Sequence, residues 1–227
     1  RDVAGGGSGG HCRQPLTAMT LIKICGLSTP DTLDAAVAAG VSHIGFMFVT
    51  RSPRYVSLEA AAALAARLPA HVKSVGVFVD ADDALLAAAA TFVDVLQLHG
   101  SETPARIAEV RRHGREVWRA TGVATRADIA AAVKASQGVA DRLLLDAKAP
   151  SGAPLSGGNG LRFDWQLLGN VSPGMAWGLA GGMDAGKVGA AIAATAAPLV
   201  DVSSGVEDAP GVKSVEKIRA FAAAVRA

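Results

Sequence analysis

Short β-branched or apolar runs alternate with alanine-rich stretches from Leu16 or Met19 to the C-terminus, and this alternation constrains the fold more than any other feature. Residues of the first kind suit a pleated, buried surface, and alanine suits helices that must lie close on a sheet. The pattern predicts strands over Thr20 to Cys25, His43 to Phe48, Lys73 to Val79, Val93 to Leu98, Glu116 to Arg119, Arg142 to Asp146, Met175 to Leu179 and Leu199 to Val202. Between them it predicts helices over Asp31 to Ala39, Leu58 to Leu68, Asp82 to Ala90, Pro104 to His113, Arg126 to Ala135, Phe163 to Leu168, Asp184 to Ala194 and Val212 to Val225. Thr29-Pro30, Ser57 and Thr103-Pro104 supply helix starts.

About eight strictly alternating βα units in 227 residues make a single-domain α/β protein, a (β/α)8 TIM barrel. A doubly wound open sheet is the structural alternative, and the lack of a dinucleotide fingerprint after the first strand counts against it. Residues 1–15 include Gly5-Gly6-Gly7-Ser8-Gly9-Gly10 and read as a flexible extension, leaving 16–227 for the barrel.

The net charge of +2 comes without long runs of either sign, which argues against nucleic acid and against a polybasic membrane anchor. Charged residues interrupt the apolar stretches before a spanning length, so no membrane segment is expected. Cys12 and Cys25 are too few for a disulfide framework and point to the cytoplasm, with a small molecule as partner and a monomer or homodimer as the assembly.

In a parallel barrel the site lies at the C-terminal ends of the strands, so the polar residues there are the candidates. They are Cys25, Arg54 in Ser52-Pro53-Arg54, His99, Asp146, Gly181-Gly182 and Ser203-Ser204-Gly205. A cysteine ending an apolar strand can be a small core residue, but its place among these groups favours chemistry. Asp146 reads as a turn aspartate or as a delivered carboxylate. Arg54 is a solvated loop charge or a carboxylate clamp, and His99 a base, a hydrogen-bond donor or a packed strand end, the last two favoured. Glycine clusters at 157, 158 and 160 and at 181 and 182 expose backbone N–H groups to an anion. Lys23 lies two residues before Cys25 and so points inward with it, where Asp201 on the closing strand is its expected ion-pair partner. The histidines show no zinc spacing, and no metal is expected.

Ordered motifs then carry a resemblance over Leu21 to Phe221. They are Lys23-Ile24-Cys25-Gly26, Gly45-Phe46-Met47-Phe48 leading to Ser52-Pro53-Arg54, Gln97-Leu98-His99-Gly100, Leu144-Leu145-Asp146, Gly157-Gly158-Asn159-Gly160, Ala180-Gly181-Gly182 and Asp201-Val202-Ser203-Ser204-Gly205-Val206-Glu207. The chain resembles the phosphoribosylanthranilate isomerases of tryptophan biosynthesis. The resemblance implies a (β/α)8 barrel that carries out an Amadori rearrangement without metal or cofactor, with Cys25 as general base and Asp146 as general acid. It implies Arg54 as the anchor of the anthranilate carboxylate, and His99 at the same mouth is expected to bind substrate beside it. The phosphate would lie on Gly157, Gly158, Gly160, Gly181, Gly182, Ser203 and Ser204. Asn159 departs from the Thr or Ser usual in that loop, which bears on a side-chain contact but leaves backbone contacts intact. The chemistry needs a thiolate and a protonated carboxyl, so opposite pKa shifts are expected: Cys25 down, Asp146 up. Other phosphosugar isomerases or epimerases, and a non-catalytic barrel that binds a phosphorylated metabolite, are the alternatives.

Overall fold

The computed structural model describes residues 19–148, 165–168 and 173–227. Strands β1 (Leu21–Cys25), β2 (His43–Met47), β3 (Lys73–Phe78), β4 (Val95–Leu98), β5 (Glu116–Val123), β6 (Arg142–Ala147), β7 (Trp177–Leu179) and β8 (Leu199–Val202) close in sequence order into a barrel. Every pairing around it is parallel. Around it lie helices α1 (Pro30–Ala38), α2 (Leu58–Ala65), α3 (Asp83–Ala90), α4 (Pro104–Val110), α5 (Arg126–Ser136), α6 (Val188–Thr195) and α7 (Val215–Arg226). None is long and apolar enough to cross a membrane.

Four helices begin where a side chain satisfies one of their first N–H groups, whereas α1, α6 and α7 have no side-chain cap among the described residues. Ser57 accepts from the Ala60 N–H, Asp82 from Leu85 and Thr103 from Arg106, while Thr125 and Asp128 form a reciprocal capping box. Pro30 and Pro104 stand in first turns, where a missing N–H costs nothing.

Strand alternation divides the interior in two. Ile22 and Ile24 of β1 face outward into the large core between sheet and helices, whereas Cys25 joins Val75, Val77, Val95, Trp118, Ala120, Leu144 and Leu199 inside the barrel. Following the inward parity upward, Leu144 is succeeded by Asp146, Leu199 by Asp201 and Ser203, and Val95 by Gln97 and His99. These rows begin apolar and end polar, which places the polar residues at the C-terminal mouth.

The structure corrects four element boundaries. β5 runs on to Val123 because it stays paired with β6 through Val123 and Ala147. Of the helix expected over Phe163 to Leu168, the described part is a 3-10 turn at Trp165–Leu168. α6 begins only at Val188, after a turn in which Lys187 and Val188 donate to the Asp184 carbonyl. The last helix does not start at Val212: strands β9 (Glu207–Ala209) and β10 (Val212–Lys213) form a hairpin first. Pro210-Gly211 causes the turn, Gly211 taking φ +84°. The Gly/Ser-rich extension expected over 1–15 lies outside the described residues.

Candidate active site

Cys25 ends β1 and is 6% exposed, its thiol turned into the barrel. Its neighbour Gly26 adopts φ +81°, and a Cβ there would stand 2.8 Å from Arg54 Cδ. Only glycine suits both that backbone and the arginine chain crossing it. Arg54 is thereby carried from the loop between β2 and α2 to the cysteine's side of the mouth.

The Arg54 fork meets Glu207, Nε donating to Oε1 at 2.7 Å and Nη2 to Oε2 at 2.8 Å. Arg54 is therefore not a solvated loop charge: one edge of its guanidinium is held by a buried protein carboxylate. Glu207 also accepts from Lys213 Nζ at 2.7 Å, and Lys213 donates to the Ser203 carbonyl at 2.9 Å and hydroxyl at 3.2 Å. Burial opposes the Glu207 charge, but the two cations outweigh it and hold the carboxyl below its usual range. Ser203 in turn donates its hydroxyl to the Cys25 carbonyl at 3.1 Å. Arg54, Glu207, Lys213, Ser203 and the Cys25 backbone thus form one connected wall.

Asp146 near the end of β6 is 6% exposed, and its Oδ1 accepts from the Ala147 N–H at 2.7 Å. Burial pushes its pKa up to about 7, against the pull of that N–H and with help from the Asp201 charge. A carboxyl in this range can hold a proton at neutral pH. Gly181, with φ +86°, packs against it, for a Cβ there would lie 2.6 Å from Asp146 Oδ1. His99 Nε2 stands 3.6 Å from Asp146 Oδ2, and that nitrogen has no hydrogen-bond partner among the described residues. Burial first, then the Lys23 charge, lower His99 to about 4, so it is a neutral imidazole at pH 7.

Inside the barrel Lys23 and Asp201 form the ion pair expected from the sequence, Nζ to Oδ2 at 2.9 Å. The Cys25 shift runs opposite to expectation. Desolvation raises its pKa and exceeds the lowering by Lys23, since a thiolate buried at this depth loses its hydration. Thiol and carboxyl are therefore displaced in the same direction, upward.

Of the expected anion-binding residues, Gly181 and Gly182 follow β7 with φ of +86° and +62°. Ser203 and Ser204 follow β8 at the same mouth. Gly157, Gly158, Asn159 and Gly160 lie outside the described residues. Sequence reasoning gave no role to Glu207 or Lys213. Glu207 stood at the end of a noted motif, and Lys213 was assigned to the front of a helix. Among the described residues no group of three or more His, Cys, Asp or Glu side chains could hold a metal.

This geometry defines a class: a (β/α)8 barrel with a buried thiol and a carboxyl poised near neutrality at one mouth. The N-(5'-phosphoribosyl)anthranilate (PRA) isomerase family model matches residues 22–224. The chain is 52% identical over 209 residues to N-(5'-phosphoribosyl)anthranilate isomerase of Azorhizobium caulinodans, covering 91% of each. It superposes on the phosphoribosyl anthranilate isomerase of Thermotoga maritima with a TM-score of 0.83, at 31% identity, covering 92% of this chain and 99% of that one. Another isomerase structure, in complex with reduced 1-(o-carboxyphenylamino)-1-deoxyribulose 5-phosphate, gives a TM-score of 0.80 at 29% identity with the same coverage. The chain belongs to the phosphoribosylanthranilate isomerase family.

Proposed function

We propose that the chain performs its family's isomerisation, a step of tryptophan biosynthesis, with Asp146 as general acid and Cys25 as general base. The substrate class is an aminoaldose phosphate, N-(5-phospho-β-D-ribosyl)anthranilate, and the product is 1-(2-carboxyphenylamino)-1-deoxy-D-ribulose 5-phosphate. The Asp146 carboxyl gives its proton to the furanose ring oxygen while the anthranilate nitrogen pushes the ring open to an iminium. The Cys25 thiolate then takes the proton from C2, leaving an enolamine that tautomerises to the ketone. The substrate's own nitrogen is the electron sink, so these two proton transfers balance the reaction.

One observation carries this reading: a carboxyl whose pKa burial has brought to about 7 stands at the same mouth as a buried thiol, on a different strand. No hydrogen bond joins them among the described residues, so each can face the substrate. In this reading Arg54, fixed by Glu207, meets the anthranilate carboxylate, and neutral His99 offers a hydrogen bond beside Asp146. The phosphate lies on backbone amides at Gly157, Gly158, Gly160, Gly181 and Gly182 and on Ser203 and Ser204. The relative solved in complex with a reduced deoxyribulose phosphate supports a phosphosugar ligand here. The same reading places the chain in the cytoplasm as a monomer or homodimer, and a Thermotoga maritima relative is dimeric.

The test follows loss of phosphoribosylanthranilate fluorescence with wild type, Cys25→Ala and Asp146→Ala. General acids and bases each contribute about 10²–10⁴ in rate, so each variant should lose at least that range in kcat with modest change in KM. Near wild-type turnover by Cys25→Ala would pass the role of base to another residue, His99 first.

A further inference from the structure

Cys25 shares its inward face with a fully buried cation. Lys23 is 0% exposed, two residues earlier on β1, and its ammonium is anchored by Asp201. The strand beside them leaves room for both groups. Gly45 of β2 is in register with Cys25, and a Cβ at Gly45 would lie 3.1 Å from Cys25 Sγ and 3.3 Å from Lys23 Nζ. Thiol and ammonium therefore border the same bare stretch of backbone, a space that any other residue at position 45 would enter.

We propose that Lys23, held in place by Asp201, is the positioning residue that supplies the counter-charge for the Cys25 thiolate. It rests on the reading of Cys25 as base and names what makes that base available. The other charged groups around the thiol are committed differently. Asp201 on β8 repels a thiolate, while Lys213 on β10 and Arg54 on the β2–α2 loop share Glu207. Across the mouth His99 is neutral and Asp146 hovers near neutrality. Asp201 Oδ1 has no hydrogen-bond partner among the described residues and Oδ2 holds the Lys23 ammonium, so Asp201 and a thiolate at Cys25 draw on the same ammonium. Burial acts against the Lys23 charge, but Asp201 and Cys25 together overcome it and keep the ammonium protonated. A pure scaffold pair would stabilise the barrel and leave the thiol's titration untouched. A shared ammonium must move it.

The experiment measures the pH midpoint of Cys25 alkylation by iodoacetamide in the full chain, without substrate, with the site resolved by mass spectrometry so that Cys12 does not interfere. Lys23→Met should raise the midpoint by about one unit or more, slowing alkylation at pH 7 about tenfold. Asp201→Asn should lower it, because the ammonium then serves the thiolate alone. The double variant Lys23→Met/Asp201→Asn leaves no stranded charge and covers the case in which Lys23→Met fails to fold; its midpoint should rise, by less than in the single variant. Lys23→Arg should return the midpoint towards wild type, and kcat should fall with Lys23→Met while KM holds. Midpoints equal to wild type in folded Asp201→Asn and double variants would overturn the proposal. The base reading fails separately, if Cys25→Ala keeps its turnover while these midpoints move as stated.

Discussion

At the scale of single residues, the order of two pKa values decides how the site can function. Asp146 is raised to about 7 and the Cys25 thiol is raised above its ordinary value, so the proposed acid loses its proton before the proposed base does. The reactive form, with carboxyl protonated and thiol ionised, holds the same number of protons as the commoner form with the proton on sulfur. Its fraction is therefore constant across the plateau between the two titrations. Expected is a bell-shaped kcat/KM with an acidic limb near pH 7 and an alkaline limb set by the thiol, measured by stopped assays across pH 5.5–10 in constant ionic strength. Asp146→Asn should move the acidic limb of the residual activity from near pH 7 up to the thiol's own titration and abolish the alkaline limb, and persistence of a limb near pH 7 would assign it elsewhere. The same burial has a cost in stability. A carboxyl whose folded pKa lies above its unfolded value binds its proton more tightly when folded, so stability falls as pH rises from about 4 to about 7. Asp146→Asn should accordingly raise the melting temperature at pH 8, with the gain fading towards pH 4.

At the scale of elements, what was legible in the sequence was what local pattern can encode. The alternation of Ile22 and Ile24 with Lys23 and Cys25 announced a strand with one face on the helices and one in the barrel, and it was enough to foresee the Lys23–Asp201 pair. Arg54 and Glu207 stand 153 positions apart, and no periodicity links a loop arginine to a glutamate beyond the last barrel strand. The hairpin of β9 and β10 was missed for another reason: its Pro210-Gly211 turn signal was present, but the charged and apolar residues after it also suit a helix. The rise of the Cys25 pKa depends on burial depth, which pattern does not give. Helix starts were legible where the cap signal is local, as at Ser57 and Thr103-Pro104, and not at α6 and α7, which have no such cap; the Thr125–Asp128 capping box is a signal of the local kind, since both halves lie within four consecutive residues. Thr125→Ala should destabilise the protein by about 1 kcal/mol in urea denaturation, with the slope unchanged. A loss below the error of that measurement would mean that solvent replaces the cap.

At the scale of the whole molecule, the barrel is a ring of unequal joints. β5 and β6 stay in register from Trp118 and Arg142 up to Val123 and Ala147, whereas β7 touches β8 through one aligned pair, Leu179 with Val200. β8 is instead held from its far side, where Leu21 to Ile24 align with Leu199 to Val202. A cylinder opens at its thinnest seam, and here that seam runs between β7, which Gly181 follows, and β8, which Ser203 follows, two of the residues proposed to hold the phosphate. In native-state hydrogen exchange the amides of β7 should exchange ahead of those of β5 and β6, and uniform protection around the ring would contradict this. A dianion lying across both strand ends would act as a rivet on that seam. Inorganic phosphate alone should then slow exchange at β7 more than at β5, so that the ligand's grip closes the cylinder that holds it.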